Sequence, residues 1–302
     1  MTQSDARSIS IRRIVGAAIG VVLLGAAIFW ALSNADGNAF RRASPTEVVG
    51  LAGLVLLNHL LTGVLFEAVT RSFPLSRRVG IRHMTALLAV SALLNYIPVI
   101  RAGLWGRAVF LRRYHGLSLA DSGRVLVVVL LLAVLVVGGV GAILLAVDAQ
   151  LGWWLTTAWL SLLGFAIPRL TRRWIAQTHA GIWAWLPIRA ADLGVAAARL
   201  WLAYRVVGVD LSLREAIVFA AASLLIKLSG LTPNGLGLSE WVVAGLTAAL
   251  TPIEAAAAAT AVLIDRGVEV ITTVLLGLPS WWWLQRWAKR HGKIEPGSSG
   301  VG

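Results

Sequence analysis

The chain alternates long apolar runs with short polar clusters, and the spacing of those clusters is the first clue to its architecture. Uninterrupted apolar segments cover 14–32, 48–69, 123–147, 151–168, 188–207 and 254–279. Each matches the roughly 20 residues that a helix needs to cross a bilayer core. Two further apolar stretches, 83–114 and 213–250, are interrupted near their middles by proline, glycine and polar residues. Four helix starts carry a hydroxyl residue followed three positions later by an acid: Ser44 with Glu47, Ser118 with Asp121, Ser212 with Glu215 and Thr251 with Glu254. Such pairs satisfy the orphan N–H groups of a first turn, and Pro45 and Pro252 stand where a first helical residue is expected.

Charge orients these elements, because Lys and Arg next to spans favour the cytoplasmic side. Arg7, Arg12 and Arg13 precede the first run; Arg71, Arg77, Arg78 and Arg82 follow the second; Arg112 and Arg113 precede the run at 123. Arg169, Arg172, Arg173 and Arg189 separate 151–168 from the run at 188, and Arg286, Lys289, Arg290 and Lys293 follow the last. All of these clusters fall on one side if 83–114 enters and leaves by the cytoplasmic face and 213–250 does so from outside. The pattern predicts an all-α polytopic membrane protein with six full spans and two re-entrant broken hairpins. The rival reading makes the two interruptions surface loops between ordinary spans. The expected layout is a cytoplasmic tail over 1–13, one transmembrane domain over 14–287 and a basic, then flexible, tail over 288–302. The run at 14 is longer than a signal-peptide core and reads as a retained span.

Composition agrees. Of 302 residues, 58% are hydrophobic and only 14% charged, against about 25% charged in ordinary soluble domains. With no cysteine, disulfides and thiolate metal sites are excluded. The net charge of +13 lies in the inter-span clusters and forms no aromatic-interleaved basic surface, so nucleic acid is not the expected partner. Trp153, Trp154, Trp159, Trp174, Trp183, Trp185, Trp281, Trp282, Trp283 and Trp287 gather at span ends as an interfacial belt.

The two interruptions are similar. The first holds Asn95, Pro98, Arg101, Gly103, Gly106 and Arg107; the second holds Pro233, Asn234, Gly235, Gly237 and Glu240. Each runs from proline through glycines to a charge and then to a hydroxyl–acid pair that opens a long span. With opposite entry sides, this is the pattern of an inverted repeat, here about 83–147 and 213–279, whose broken helices bring a substrate site to the midplane. Backbone breaks in hydrocarbon survive only where protein or a wet cavity satisfies them.

Charges inside apolar segments are costly and need partners. Glu67, Arg124 and Arg205 read as snorkelling residues near span ends. Glu240, Asp265, Arg266 and Glu269 are deeper candidates. Asp265 and Glu269 share a helix face, Arg266 can reach Glu269 three residues on, and Lys227 is a partner for Asp265. Arg101 and Arg107 together suit an anionic headgroup, since guanidinium matches phosphate through two parallel hydrogen bonds. Arg199 also lies within an apolar segment, and a purely structural ion-pair network competes with the site reading for any of these residues. His59 and His83 read as satisfied polar residues. No metal-ligand spacing, nucleophile motif or nucleotide-binding loop is present, so no cofactor is expected.

The two breaks resemble the flippase-like transmembrane family, the membrane part of lysylphosphatidylglycerol synthase. The first half carries Asn95, Pro98, Gly103 and Arg107, then Gly116, Leu117, Ser118, Leu119 and Ala120. The second carries Pro233 through Glu240, then the alanine run 255–261 and Arg266. Asn234 departs from the family's usual glycine, and the first long span lacks the Arg that many members carry, being wholly apolar over Val128–Leu132. No soluble stretch is long enough for the aminoacyl-transferase domain of bifunctional members. The resemblance implies translocation of an anionic or glycosylated lipid, or a lipid-linked intermediate, across a bacterial cytoplasmic membrane, with both termini inside. Membrane lipids, and a lipid-modifying enzyme, are the implied partners. The alternatives are a membrane enzyme or subunit acting on a lipid-linked substrate, and an ion- or proton-coupled small-solute transporter.

Overall fold

The structure is a computed structural model that describes residues 44–96, 102–148, 179–229 and 232–292, with the isolated positions 22, 25, 26, 29 and 33. Every regular element among the described residues is helical. In chain order the helices are α1 (Pro45–Thr70), α2 (Ile81–Asn95), α3 (Ala102–His115), α4 (Leu119–Asp148), α5 (His179–Val206), α6 (Leu213–Ser229), α7 (Leu238–Leu250) and α8 (Ala255–His291), with a 3-10 turn at Pro233–Gly235 before α7. Apart from those isolated positions, the expected spans at 14–32 and 151–168 and the tail beyond 292 lie outside the described residues. So do Pro98, Arg101, Trp153, Trp154, Trp159 and Trp174.

Local sequence explains most of the starts. Pro45 opens α1, and the Glu47 carboxylate accepts from the Ser44 backbone N–H at 3.2 Å. At α4 the Asp121 N–H donates to Ser118 Oγ at 3.0 Å, and that hydroxyl donates to the Asp121 carboxylate at 2.7 Å. At α6 both halves of the Ser212–Glu215 box form. The fourth pair does not cap α8. Thr251 closes α7 instead, its hydroxyl donating to the Thr247 carbonyl at 2.7 Å, and α8 begins only at Ala255, so Pro252 is not its first residue. A hydroxyl within reach of the preceding helix's open carbonyls satisfies those first. Helix α8 also runs beyond the expected end at 279, through Pro279 to His291.

Two helices, Pro45–Thr70 and Leu119–Val140, have the length and apolar composition of full crossings. Their outward positions are oily: Leu56, Leu57 and Leu60 on α1 and Val127, Leu130 and Val134 on α4 are exposed. Water would penalise such faces, whereas lipid tails accept them. The interrupted stretches form pairs of shorter helices, 15 and 14 residues in α2 and α3, and 17 and 13 in α6 and α7. None of the four reaches crossing length.

The chain divides into two compact units. Unit 1 comprises Met1–Asn58, Val90–Leu104 and Gly194–Gly277; unit 2 comprises His59–Ala89, Trp105–Leu193 and Leu278–Gly302. In unit 1, Leu51 of α1 packs with Ala203 and Val206 of α5, flanked by Leu202 and by Ile264 and Val268 of α8. Helix α7 folds back on α6, and Tyr204 of α5 shares a 2.7 Å hydrogen bond with Thr247 of α7. Gly103 is required where α3 leaves the first break, because a Cβ there would stand 2.0 Å from the Ser91 carbonyl oxygen and 2.5 Å from Asn95 Oδ1.

In unit 2 the C-terminal part of α8 carries an aromatic cluster. Trp287 stacks on His115 (5.6 Å, 4° between planes) and on His291 (4.5 Å, 18°), and His83 sits 4.6 Å from Trp287 and 4.7 Å from Trp283. The expected aromatic belt therefore holds only in part. Trp183 is exposed, but Trp185 is buried and Trp287 is committed to this cluster. His83 is likewise not the satisfied residue expected, since its Nε2 is buried without a hydrogen-bond partner. Glu67 does not snorkel either. It is buried and paired with Arg71 one helical turn on, while Arg124 remains half exposed beside Asp121.

Candidate functional site

The second break is built by three left-handed residues within four positions. Asn234 takes a left-handed conformation (φ 51°), and Gly235 and Gly237 follow with φ of 74° and 76°. Glycine adopts these angles without the Cβ clash that other residues meet, and asparagine is the side chain that best tolerates the first. Gly235 has a second constraint, as a Cβ there would lie 3.0 Å from the Lys227 Cγ. The turn ends α6, presents the Asn234 carbonyl inward, and starts α7 at Leu238 with Glu240 in its first turn.

Around this turn five buried charged side chains and one partly exposed one form a continuous network. Arg199 of α5 donates from Nε and Nη2 to the two carboxylate oxygens of Asp265, both at 3.0 Å. Its Nη2 also reaches Glu269 at 2.9 Å, and its Nη1 donates to Asn58 of α1 at 3.3 Å. Lys227 of α6 donates to Glu269 at 3.1 Å. Arg266 donates to Glu269 at 3.1 Å and to the Asn234 carbonyl at 2.8 Å, and pairs with Glu240 at 3.3 Å. The Tyr96 ring lies under its guanidinium at 5.4 Å. Glu240 additionally accepts from Ser239 at 2.9 Å. Lys227, with its side chain 25% exposed, is the wettest member; Glu240 is almost wholly enclosed.

Helical geometry explains the layout. Asp265 and Glu269 lie one turn apart and face α5, whereas Arg266 projects roughly 100° away toward the break. Three cations (Arg199, Lys227, Arg266) meet three acids (Glu240, Asp265, Glu269), so the set is neutral. Placing it in an apolar interior would be prohibitive for any lone member and is tolerable only because each is paired.

Of the candidates from sequence, Asn234, Glu240, Lys227, Asp265, Arg266 and Glu269 are brought together here, and the Arg266–Glu269 pair forms as expected. The expected Lys227–Asp265 pair does not. Asp265 is taken by Arg199, and Lys227 turns to Glu269. Asn95 ends α2, where its Oδ1 is buried without a hydrogen-bond partner. Arg107 belongs to unit 2 and takes no part in the network. Arg199 is the residue underweighted by sequence; its signal was a lone guanidinium within an apolar helix with no acid of its own three or four residues away.

Residues 167–277 match the family described as the lysylphosphatidylglycerol synthase TM region. The match supports membership of that family. It spans α5 to most of α8, and so contains every charged member of the network and the second break. The match to a lysylphosphatidylglycerol synthase TM region, two helices long and apolar enough to cross a bilayer, and their exposed apolar faces together support a membrane protein. No curated protein matches the chain significantly.

Proposed function

We propose that the chain translocates a phospholipid or lipid-linked molecule between the leaflets of a bacterial cytoplasmic membrane. The observation that carries this reading is the neutral, fully paired charge network set against a broken helix, in a chain matching a lipid-handling membrane family. A headgroup crossing hydrocarbon needs polar partners along the way, and broken helices supply both open carbonyls and mobile ion pairs. In this reading the two interrupted stretches are opposed re-entrant hairpins of an inverted repeat, with six full spans around them and both termini cytoplasmic. Lys227, Glu240, Asp265, Arg266 and Glu269 line or gate the path, Asn95 and Asn234 border it, and a lipid-modifying enzyme supplies or consumes the cargo.

The test is a leaflet-resolved assay in proteoliposomes with headgroup-labelled anionic, zwitterionic and glycosylated lipids. The full-length protein should accelerate exchange of at least one lipid, and Glu269→Gln should reduce that rate at least about tenfold, one charge-assisted contact being worth roughly that much. No acceleration over protein-free vesicles for any of them would sink the proposal.

A further inference from the structure

Ten charged residues are buried among the described residues. Glu67 has Arg71, Asp121 has Arg124, Arg189 and Asp192 have each other, and five belong to the network of unit 1. Arg107 of α3 is the exception. It is 6% exposed, no acid among the described residues comes within ion-pairing distance, and its guanidinium carbon lies 4.1 Å from the centre of the Phe66 ring. A ring face offsets only part of what a cation loses on leaving water. It also leaves the edge of the guanidinium uncommitted, and that edge carries the donors that grip two oxygens at once.

We infer that Arg107, seated on Phe66, is an oxyanion seat that takes a phosphate group. The assignment deepens the translocation reading and rests on it, since in a bilayer the abundant oxyanion is the phosphate of a lipid headgroup. It also divides the labour. The network of unit 1 is already neutral and offers no unmatched cation, so an anion gains most from the buried charge that lacks a partner.

The experiment uses the full chain in neutral detergent and follows its unfolding midpoint with three additives: dihexanoyl phosphatidylglycerol, inorganic phosphate, and dihexanoylglycerol as the uncharged control. The wild type should gain roughly 2–4 °C with a saturating phosphate-bearing ligand and nothing with the control. A gain from the phosphodiester alone assigns the seat to lipid; an equal gain from inorganic phosphate assigns it to the free ion. Arg107→Met should abolish the gain while its ligand-free midpoint equals or exceeds that of the wild type, because an uncompensated buried charge has been removed. Arg107→Lys, which keeps the charge but not the fork, should weaken binding roughly tenfold and serves if the methionine variant does not accumulate. No gain in the wild type with either phosphate source, equal gains in wild type and Arg107→Met, or an equal gain with dihexanoylglycerol overturns the inference. Lipid movement without an Arg107-dependent gain refutes this seat alone, and binding without movement refutes translocation alone.

Discussion

Arg199 is the one cation of the network paired with Asp265, and its loss is correspondingly severe. Arg199→Met removes both bonds to Asp265 and leaves that carboxylate buried without a cation. Breaking a buried pair from one side costs about 3–5 kcal/mol, so thermal unfolding in detergent should show a large drop, partly recovered by adding Asp265→Asn. Lys227→Met should cost less, since Glu269 keeps two arginines and the Lys227 side chain is already a quarter exposed. A separate prediction concerns His115, at the end of α3 and outside the apolar segments. Its Nδ1–H donates to the Arg77 carbonyl, which fixes the neutral tautomer, and burial pushes its pKa below the ordinary 6.5 despite that bond. A group whose folded pKa is depressed in this way favours the uncharged state. Its contribution is present above pH 6.5 and is lost as pH falls through the unfolded value toward the folded one. The unfolding midpoint should therefore decline on acidification below that pH, and His115→Gln should flatten part of the slope.

At the scale of elements, stability depends on two breaks that let short helices meet. Gly103→Ala places a methyl against the Ser91 carbonyl at the first of them. Overpacking of this kind costs about 1–3 kcal/mol, measurable as a lowered midpoint, whereas the same change at Gly53, where a Cβ meets nothing within 4 Å, should leave the midpoint within about 2 °C of wild type. The second break, the crossing-length helices and three of the four hydroxyl–acid starts were legible in sequence because each depends on residues within a few positions of one another. The Thr251 start misled because its hydroxyl had a nearer claim in the last turn of α7. The pairing of Arg199 with Asp265 was not legible, since it joins positions 66 residues apart. Nothing local distinguishes Lys227 from Arg199 as the partner of Asp265; only the packing of α5 against α8 decides it.

For the whole molecule, the proposed topology can be tested without background labelling because the sequence contains no cysteine. Single cysteines at Arg78 and Arg290 should react with a membrane-impermeant maleimide only after the inner face is opened. One at Asp210 should react from outside. Reaction of either of the first two in sealed, right-side-out cells would invert the proposed orientation.

Glu269 receives Arg199, Lys227 and Arg266 together. A carboxylate with three claimants can release one and still be neutralised by the other two. Bonds at this position can therefore be traded one at a time: in the proposed translocation a visiting phosphate would draw Lys227 away at the wetter edge while the inner arginines keep their grip on Glu269. Such redundancy lowers the barrier to rearrangement without loosening the resting fold, much as a climber moves one hand while two holds stay fast.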